Sequence, residues 1–254
     1  MNKLITILLI PLYYLSFVNS LFAGDAIVGG LSNKNVAINT NFVGSDILIF
    51  GSIKRLNYND IMPSDVIIEV VGPRLPVTVR KKKKKLGIWI NSDPIEIPAS
   101  PTFYALVSTK DHKLILDKAE LKRYNIGIGK ISSLESMDPE YVEAVDATIR
   151  IRQSSGAYNL ENIGLKLIDD TLFSANIALP SNLREGDYEA FIYLVQNKKV
   201  SSVSKDVIKV RKIGLEKVLY NTAHDHPLFY GFFSIFLALI SGWVASAVFR
   251  RFQQ

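Results

Sequence analysis

The sequence predicts a mainly β fold: one or two immunoglobulin-like sandwich domains with a helical insertion, carried on one C-terminal transmembrane helix. Three observations predict it. Residues 228–249, LFYGFFSIFLALISGWVASAVF, contain no charged side chain. At about 1.5 Å per residue such a helix spans roughly 33 Å, enough for a hydrocarbon core of about 30 Å. Between Val36 and Ser108, six short β-rich runs alternate with turn residues, the pattern of an antiparallel sandwich or barrel. Residues 111–157 then shift toward Glu, Ala, Lys and Arg at helical spacing, and β character returns over 158–212.

Residues 1–23 read as a secretory signal peptide. Lys3 makes a positive start, 4–18 are almost wholly apolar, and small or polar residues follow. Cleavage after Ala23 or after Ser20 is open, as is an uncleaved anchor running to Phe22. Either way the middle of the chain is expected outside the cytoplasm and the tail, 250–254, inside it. The expectation is a single-pass protein of a bacterial inner membrane with its main domain in the periplasm. Lys209, Arg211, Lys212 and Lys217 before the span outnumber Arg250 and Arg251 after it. A positive-inside count would reverse the orientation, but long exported domains translocate largely regardless of charge.

In the first β-rich region, 24–110, the runs are 36–40, 46–50, 65–71, 76–80, 86–90 and 102–108. Turn signals divide them at Asn57 and Asn59, Pro63-Ser64, Gly72-Pro73, 91–94 and 98–101. Trp89 alternates with Ile88 and Ile90, which predicts a largely buried ring. The helical insertion, 111–157, holds candidate helices at 114–124 and 139–154. Asp138 suits the N-cap of the second, Pro139 its first position, and Gly156 its stop. In the second β-rich region, 158–212, strands are expected at 162–167, 170–179, 188–195 and 200–210. Asn197-Lys198 turns the last pair, which has the shape of the final hairpin of an immunoglobulin-like sandwich. The juxtamembrane segment, 213–227, is amphipathic through Leu215, Val218 and Leu219.

Composition narrows the chemistry. There is no cysteine, which excludes disulfides, thiolate metal sites, iron–sulfur clusters and cysteine nucleophiles. No serine nucleophile elbow, HExxH or Walker loop is present. His224-Asp225-His226 supplies only part of a metal ligand set, and His112 reads as part of a solvated loop. Gly127-Ile128-Gly129 lacks the third glycine of a phosphate fingerprint. Asp169-Asp170 is adjacent rather than facing, because neighbours on a strand point apart. No catalytic residue, metal or cofactor is called for.

Two features stand out instead. The formal net charge is +6, and six positive charges lie in one run, Arg80, Lys81, Lys82, Lys83, Lys84 and Lys85. The run is a candidate patch for anionic head groups; the plainer reading is a solvated hairpin whose lysines block edge pairing. A nucleic-acid role would need access that an exported domain lacks. In the span, Ser234, Ala238, Gly242 and Ser246 recur every fourth residue, so they share a face that can pack closely against another helix.

Several short pieces in order resemble a known family: Phe50-Gly51, Val71-Gly72-Pro73, Val79-Arg80-Lys81, Gly87-Ile88-Trp89-Ile90-Asn91, Phe103-Tyr104 and Thr171-Leu172-Phe173. Pro180, Gly186 with Tyr188, Lys212-Ile213-Gly214-Leu215-Glu216, Tyr220, Ala223-His224, Pro227-Leu228, Tyr230-Gly231, Gly242-Trp243 and Phe249-Arg250-Arg251 continue the set. Together they resemble alphaproteobacterial transmembrane proteins of uncharacterised function. The resemblance implies an exported β-rich domain, one C-terminal span and no catalytic residues. Relatives encoded near permeases of the sulfite-exporter type imply an accessory role. The expected function is that of a non-enzymatic, membrane-anchored periplasmic accessory or interaction protein. The alternative is a tethered ligand-binding or enzymatic domain. The expected partners are the lipid bilayer and either an integral-membrane protein or a second copy of the chain.

Overall fold

Alternating apolar residues in the computed structural model build two sheets around one shared core. Residues 25–55, 62–91, 93–127 and 138–252 are described; the expected signal peptide, 1–23, lies outside them. In chain order the strands are β1 (Ala26–Leu31), β2 (Asn35–Ile38), β3 (Ser45–Lys54), β4 (Ser64–Val71), β5 (Arg74–Val79), β6 (Lys82–Lys85) and β7 (Ile88–Asn91). There follow β8 (Ile95–Pro101), β9 (Tyr104–Ser108), β10 (Tyr158–Asn162), β11 (Lys166–Ile168), β12 (Leu172–Leu179), β13 (Gly186–Gln196) and β14 (Lys199–Lys212). The helices are α1 (His112–Ile115), α2 (Lys118–Tyr124), α3 (Pro139–Ser154), α4 (Leu215–Asp225) and α5 (Pro227–Phe252).

One sheet has the order β1-β3-β12-β11, the other β10-β9-β4-β13-β14-β2. β12 pairs with β3 from Leu172↔Ser52 to Leu179↔Ser45, and β13 pairs with β4 from Glu189↔Val71 to Gln196↔Ser64. The two β-rich stretches of the sequence therefore contribute neighbouring strands to both sheets. Ile47, Ile49 and Phe173 of the first sheet meet Ile68, Tyr188 and Ile192 of the second in a fully enclosed core. Close approach is needed where β1 crosses this core. A Cβ on Gly29 would lie 2.1 Å from Ile192 Cδ1, and one on its cross-strand partner Gly51 2.1 Å from the Val28 carbonyl.

The six-stranded sheet is covered on its other face by helices. Strand β9 returns through the helical segment to its parallel neighbour β10, and parallel neighbours require such a crossover. Asp138 caps α3 by accepting from the Glu140 N–H at 3.0 Å, and Pro139 sits at its start. Val145 and Ile149 then pack on Ile67, Tyr104, Leu106 and Tyr193. The stretch 114–124, one helix by composition, is two short ones, because Leu116 is extended and Asp117 starts α2 afresh. Residues 98–101, turn-like by their prolines, lie in β8. A register shift between Leu75 and Val77 accommodates Pro98, since proline is tolerated in two-stranded ribbons at bulges.

Residues 74–91 contain the main departure from expectation. β5 pairs with β8, and the ribbon continues as β6 paired with β7 around a turn at Leu86 and Gly87, both with positive φ. Trp89, expected to be buried, is 66% exposed. Alternation states which side chains share a face of a strand; it does not supply a layer to cover that face. β6 and β7 form a separate two-stranded sheet, and neither face of the ring's strand meets the core.

Candidate functional site

An enclosed polar centre and three exposed surfaces are the candidates among the described residues. The polar centre lies between the six-stranded sheet and the helices, around Glu69, which is 0% exposed in the middle of β4. Tyr104 donates its hydroxyl to Glu69 Oε1. The Tyr193 hydroxyl donates to Oε2 at 3.1 Å, and the Gly127 N–H reaches Oε1 at 2.9 Å. Burial, and then the charge of Glu69, push both phenols above the ordinary tyrosine range. Gly127 has φ +80°, a left-handed conformation that favours glycine, and it aims its N–H at this carboxylate. That N–H is therefore committed internally; the rest of the Gly127-Ile128-Gly129 motif lies outside the described residues. Tyr124 stands edge-on to Tyr193 with ring centroids 6.0 Å apart. The signal available in the sequence is Glu69 set inside VIIEVV, 66–71, where every other residue is apolar. With Glu69, Tyr104 and Tyr193 all buried, the centre joins the Gly127 end of the helical segment to the sheet.

The histidines are placed singly. His112 is not in a solvated loop: its side chain is only 12% exposed, with Nδ1 3.6 Å from Asp111, because the chain folds back over it at Gly127. His224 stacks on Tyr220 at 4.0 Å, and His226 closes α4 through its N–H to the Thr222 carbonyl. Among the described residues no three His, Asp or Glu gather as a metal site. Asp169 and Asp170 occupy the β11–β12 turn with φ 48° each.

The first exposed surface is the arm. Lys82, Lys83, Lys84 and Lys85 form β6 itself and are all exposed. Lys81, at the base, pairs with Glu143 of α3 at 2.6 Å, and this hydrogen bond holds the Glu143 carboxyl below its usual range. Arg80 is exposed beside it. The second is the helix α5, exposed along its length, with none of its apolar window covered by the rest of the chain. Ser234, Ala238, Gly242 and Ser246 all lie on it and are exposed. The Ser234 hydroxyl donates to the Tyr230 carbonyl four residues back at 2.8 Å, and a Cβ on Gly242 would meet nothing within 4 Å. The lysine run and this stripe thus lie on separate elements.

The third surface, not anticipated from the sequence, is the outer face of the four-stranded sheet. Register places Val28, Ser52, Leu172 and Ile168 in one cross-strand row and Gly30, Phe50, Ser174 and Lys166 in the next. Val28, Phe50, Leu172 and Ile168 are about half exposed, between 46% and 56%. They border a shallow depression of about 550 Å³. The legible signal was β3, DILIFGSIK, which is apolar at successive residues rather than only at alternate ones.

A β-rich body followed by one helix, Pro227–Arg251, long and apolar enough to cross a bilayer, defines a membrane-anchored protein class. The chain belongs to the family described as "Putative transmembrane protein (Alph_Pro_TM)", whose profile matches residues 26–251. A search of curated proteins finds no match.

Proposed function

We propose that this chain is a non-enzymatic accessory protein that binds an integral-membrane partner through the outer face of its four-stranded sheet. In this reading α5 anchors it in a bacterial inner membrane, the body lies in the periplasm, and the tail is cytoplasmic. The observation that carries the proposal is the two-sided apolar character of β3. Ile47 and Ile49 are buried inward while Leu48 and Phe50 face outward and are exposed. A strand apolar on both faces belongs in a sheet covered on both sides, and apolar patches of this kind mark interaction surfaces. An immunoglobulin-like reading of the body is supported by Tyr188, whose hydroxyl donates to the Arg184 carbonyl at 2.8 Å. That bond resembles the tyrosine corner of such sandwiches. A permease of the sulfite-exporter type is the first partner to examine, and a second copy of the chain the next.

The test is affinity purification of the full-length protein in mild detergent, beside Phe50→Glu and Leu172→Lys. One integral-membrane partner should co-purify in fixed ratio with the parent and be lost from both variants. Equal recovery with the variants would reject the sheet face. Reporter fusions at Lys130 and Gln254 should give opposite signals; a cytoplasmic signal at Lys130 would reject the orientation.

The second reading, a tethered ligand-binding domain, draws on a cavity of about 470 Å³ where the end of the sheet meets α4. Asn39, Thr40, Glu185, Lys212 and Tyr220 are among its lining residues. A thermal shift with small polar ligands that is abolished by Lys212→Ala would favour it.

A further inference from the structure

The tip of the β6–β7 arm combines two properties that the proposed sheet-face partner does not use. Its ten residues, KKKKLGIWIN at 82–91, include no acid. No ion pair engages Lys82, Lys83, Lys84 or Lys85 among the described residues, whereas Lys81 at the base has Glu143. At the same tip Leu86 is fully exposed, Ile88 is 64% exposed and Trp89 is 66% exposed. Register sets Lys85 opposite Ile88, Lys84 opposite Trp89 and Lys83 opposite Ile90. Directly opposed side chains lie on the same face of a ribbon, so each face carries ammonium groups next to apolar ones.

Edge protection alone accounts for the lysines. It leaves unexplained why a tryptophan, an isoleucine and a leucine are held in water on the same two-stranded ribbon, an element that is marginal by itself. We propose that this tip docks on an anionic lipid surface. Tryptophan settles at the level of the head groups with its ring toward the acyl chains. Leu86 and Ile88 can enter beside it, and the lysines remain among phosphates that attract them. The chain's own span favours this occupant over an acidic protein. By tethering the arm near a bilayer, α5 raises the effective concentration of lipid that the tip meets.

The experiment uses the full-length protein with Trp243→Phe, which leaves Trp89 as the sole tryptophan, since the chain has two. It is reconstituted in nanodiscs of phosphatidylcholine alone or of phosphatidylcholine with phosphatidylglycerol, and vesicles of the same lipid are then added to each. Trp89 emission should shift to the blue, and be quenched by brominated lipid, only where phosphatidylglycerol is present. High salt should reverse both effects. A shift before vesicles are added identifies the protein's own bilayer as the surface; a shift only afterwards identifies a second one. Replacing Lys82, Lys83, Lys84 and Lys85 by Gln should lower partition on the order of a thousandfold, at about one kcal/mol for each lysine near the surface. Unchanged melting of this variant will show that the body is intact. Emission indifferent to lipid charge in every arm, as an acidic protein partner would leave it, overturns the proposal, and so does full binding by the Gln variant.

Discussion

Tyr104→Phe isolates the contribution of the buried Glu69 centre. The ring of Tyr104 is fully enclosed, so phenylalanine keeps its packing and removes only the hydroxyl. That hydroxyl donates to Glu69 and accepts the Gly127 N–H at 2.9 Å. Glu69 would retain Tyr193 and Gly127 as donors, so the loss is one charge-assisted hydrogen bond and not the whole solvation of the carboxylate. Such a bond contributes about 1.5–3 kcal/mol. For a domain of this size about 2 kcal/mol corresponds to a fall in Tm of roughly 4–8 °C. Thermal unfolding of the full-length protein in detergent, followed by near-ultraviolet circular dichroism, measures it. Removing the centre entirely, with Glu69→Leu, Tyr104→Phe and Tyr193→Phe together, should cost more than Tyr104→Phe alone, which leaves Gly127 its Glu69 acceptor. In the triple variant both acceptors of the buried Gly127 N–H are gone, and a buried donor left without a partner carries its full desolvation cost. A Tyr104→Phe protein within about 0.5 kcal/mol of the parent would refute the reasoning, as would a triple variant more stable than the single one.

Trp89→Ala should change stability by less than about 0.5 kcal/mol, as for an ordinary surface position; a melting shift typical of a core truncation would place the ring in a packed layer after all. Stability should fall at alkaline pH. Burial raises the Tyr104 and Tyr193 pKa values in the folded state above an unfolded value of about 10. Their contribution is therefore complete below about pH 10 and declines as pH rises above it, which a pH series of melting curves will show. In the span, Gly242→Leu should leave membrane insertion intact while lowering recovery of a helix partner or of the homodimer. Cross-linking in native membranes reads this directly, and unchanged cross-linking would remove the Ser234, Ala238, Gly242 and Ser246 face as an interface.

Local rules were legible in the chain. Asp138-Pro139 and Gly156 bracket α3 because an N-cap, a preset φ and a left-handed stop act within a few residues. Asn197-Lys198, both at positive φ, turn β13 into β14 as read. Glu69 stood within an expected strand without being singled out, and its partners were not legible either. Tyr104, Gly127 and Tyr193 lie 35, 58 and 124 residues away, and only the sheet order brings them together.

The sequence by itself determined the long apolar helix, the β character of the body and the family, because these depend on composition, period and short ordered motifs. Tertiary structure alone decided which apolar faces are covered. Phe173 and Phe50 are both aromatic residues in paired strands, yet one is 2% exposed and the other 46%. Trp89 stands outside the core although its strand reads like those within it. Burial depends on whether a second layer arrives from a distant part of the chain, and a strand's own alternation carries no information about that arrival. The surfaces proposed for binding lie where that layer does not come from this chain's described residues.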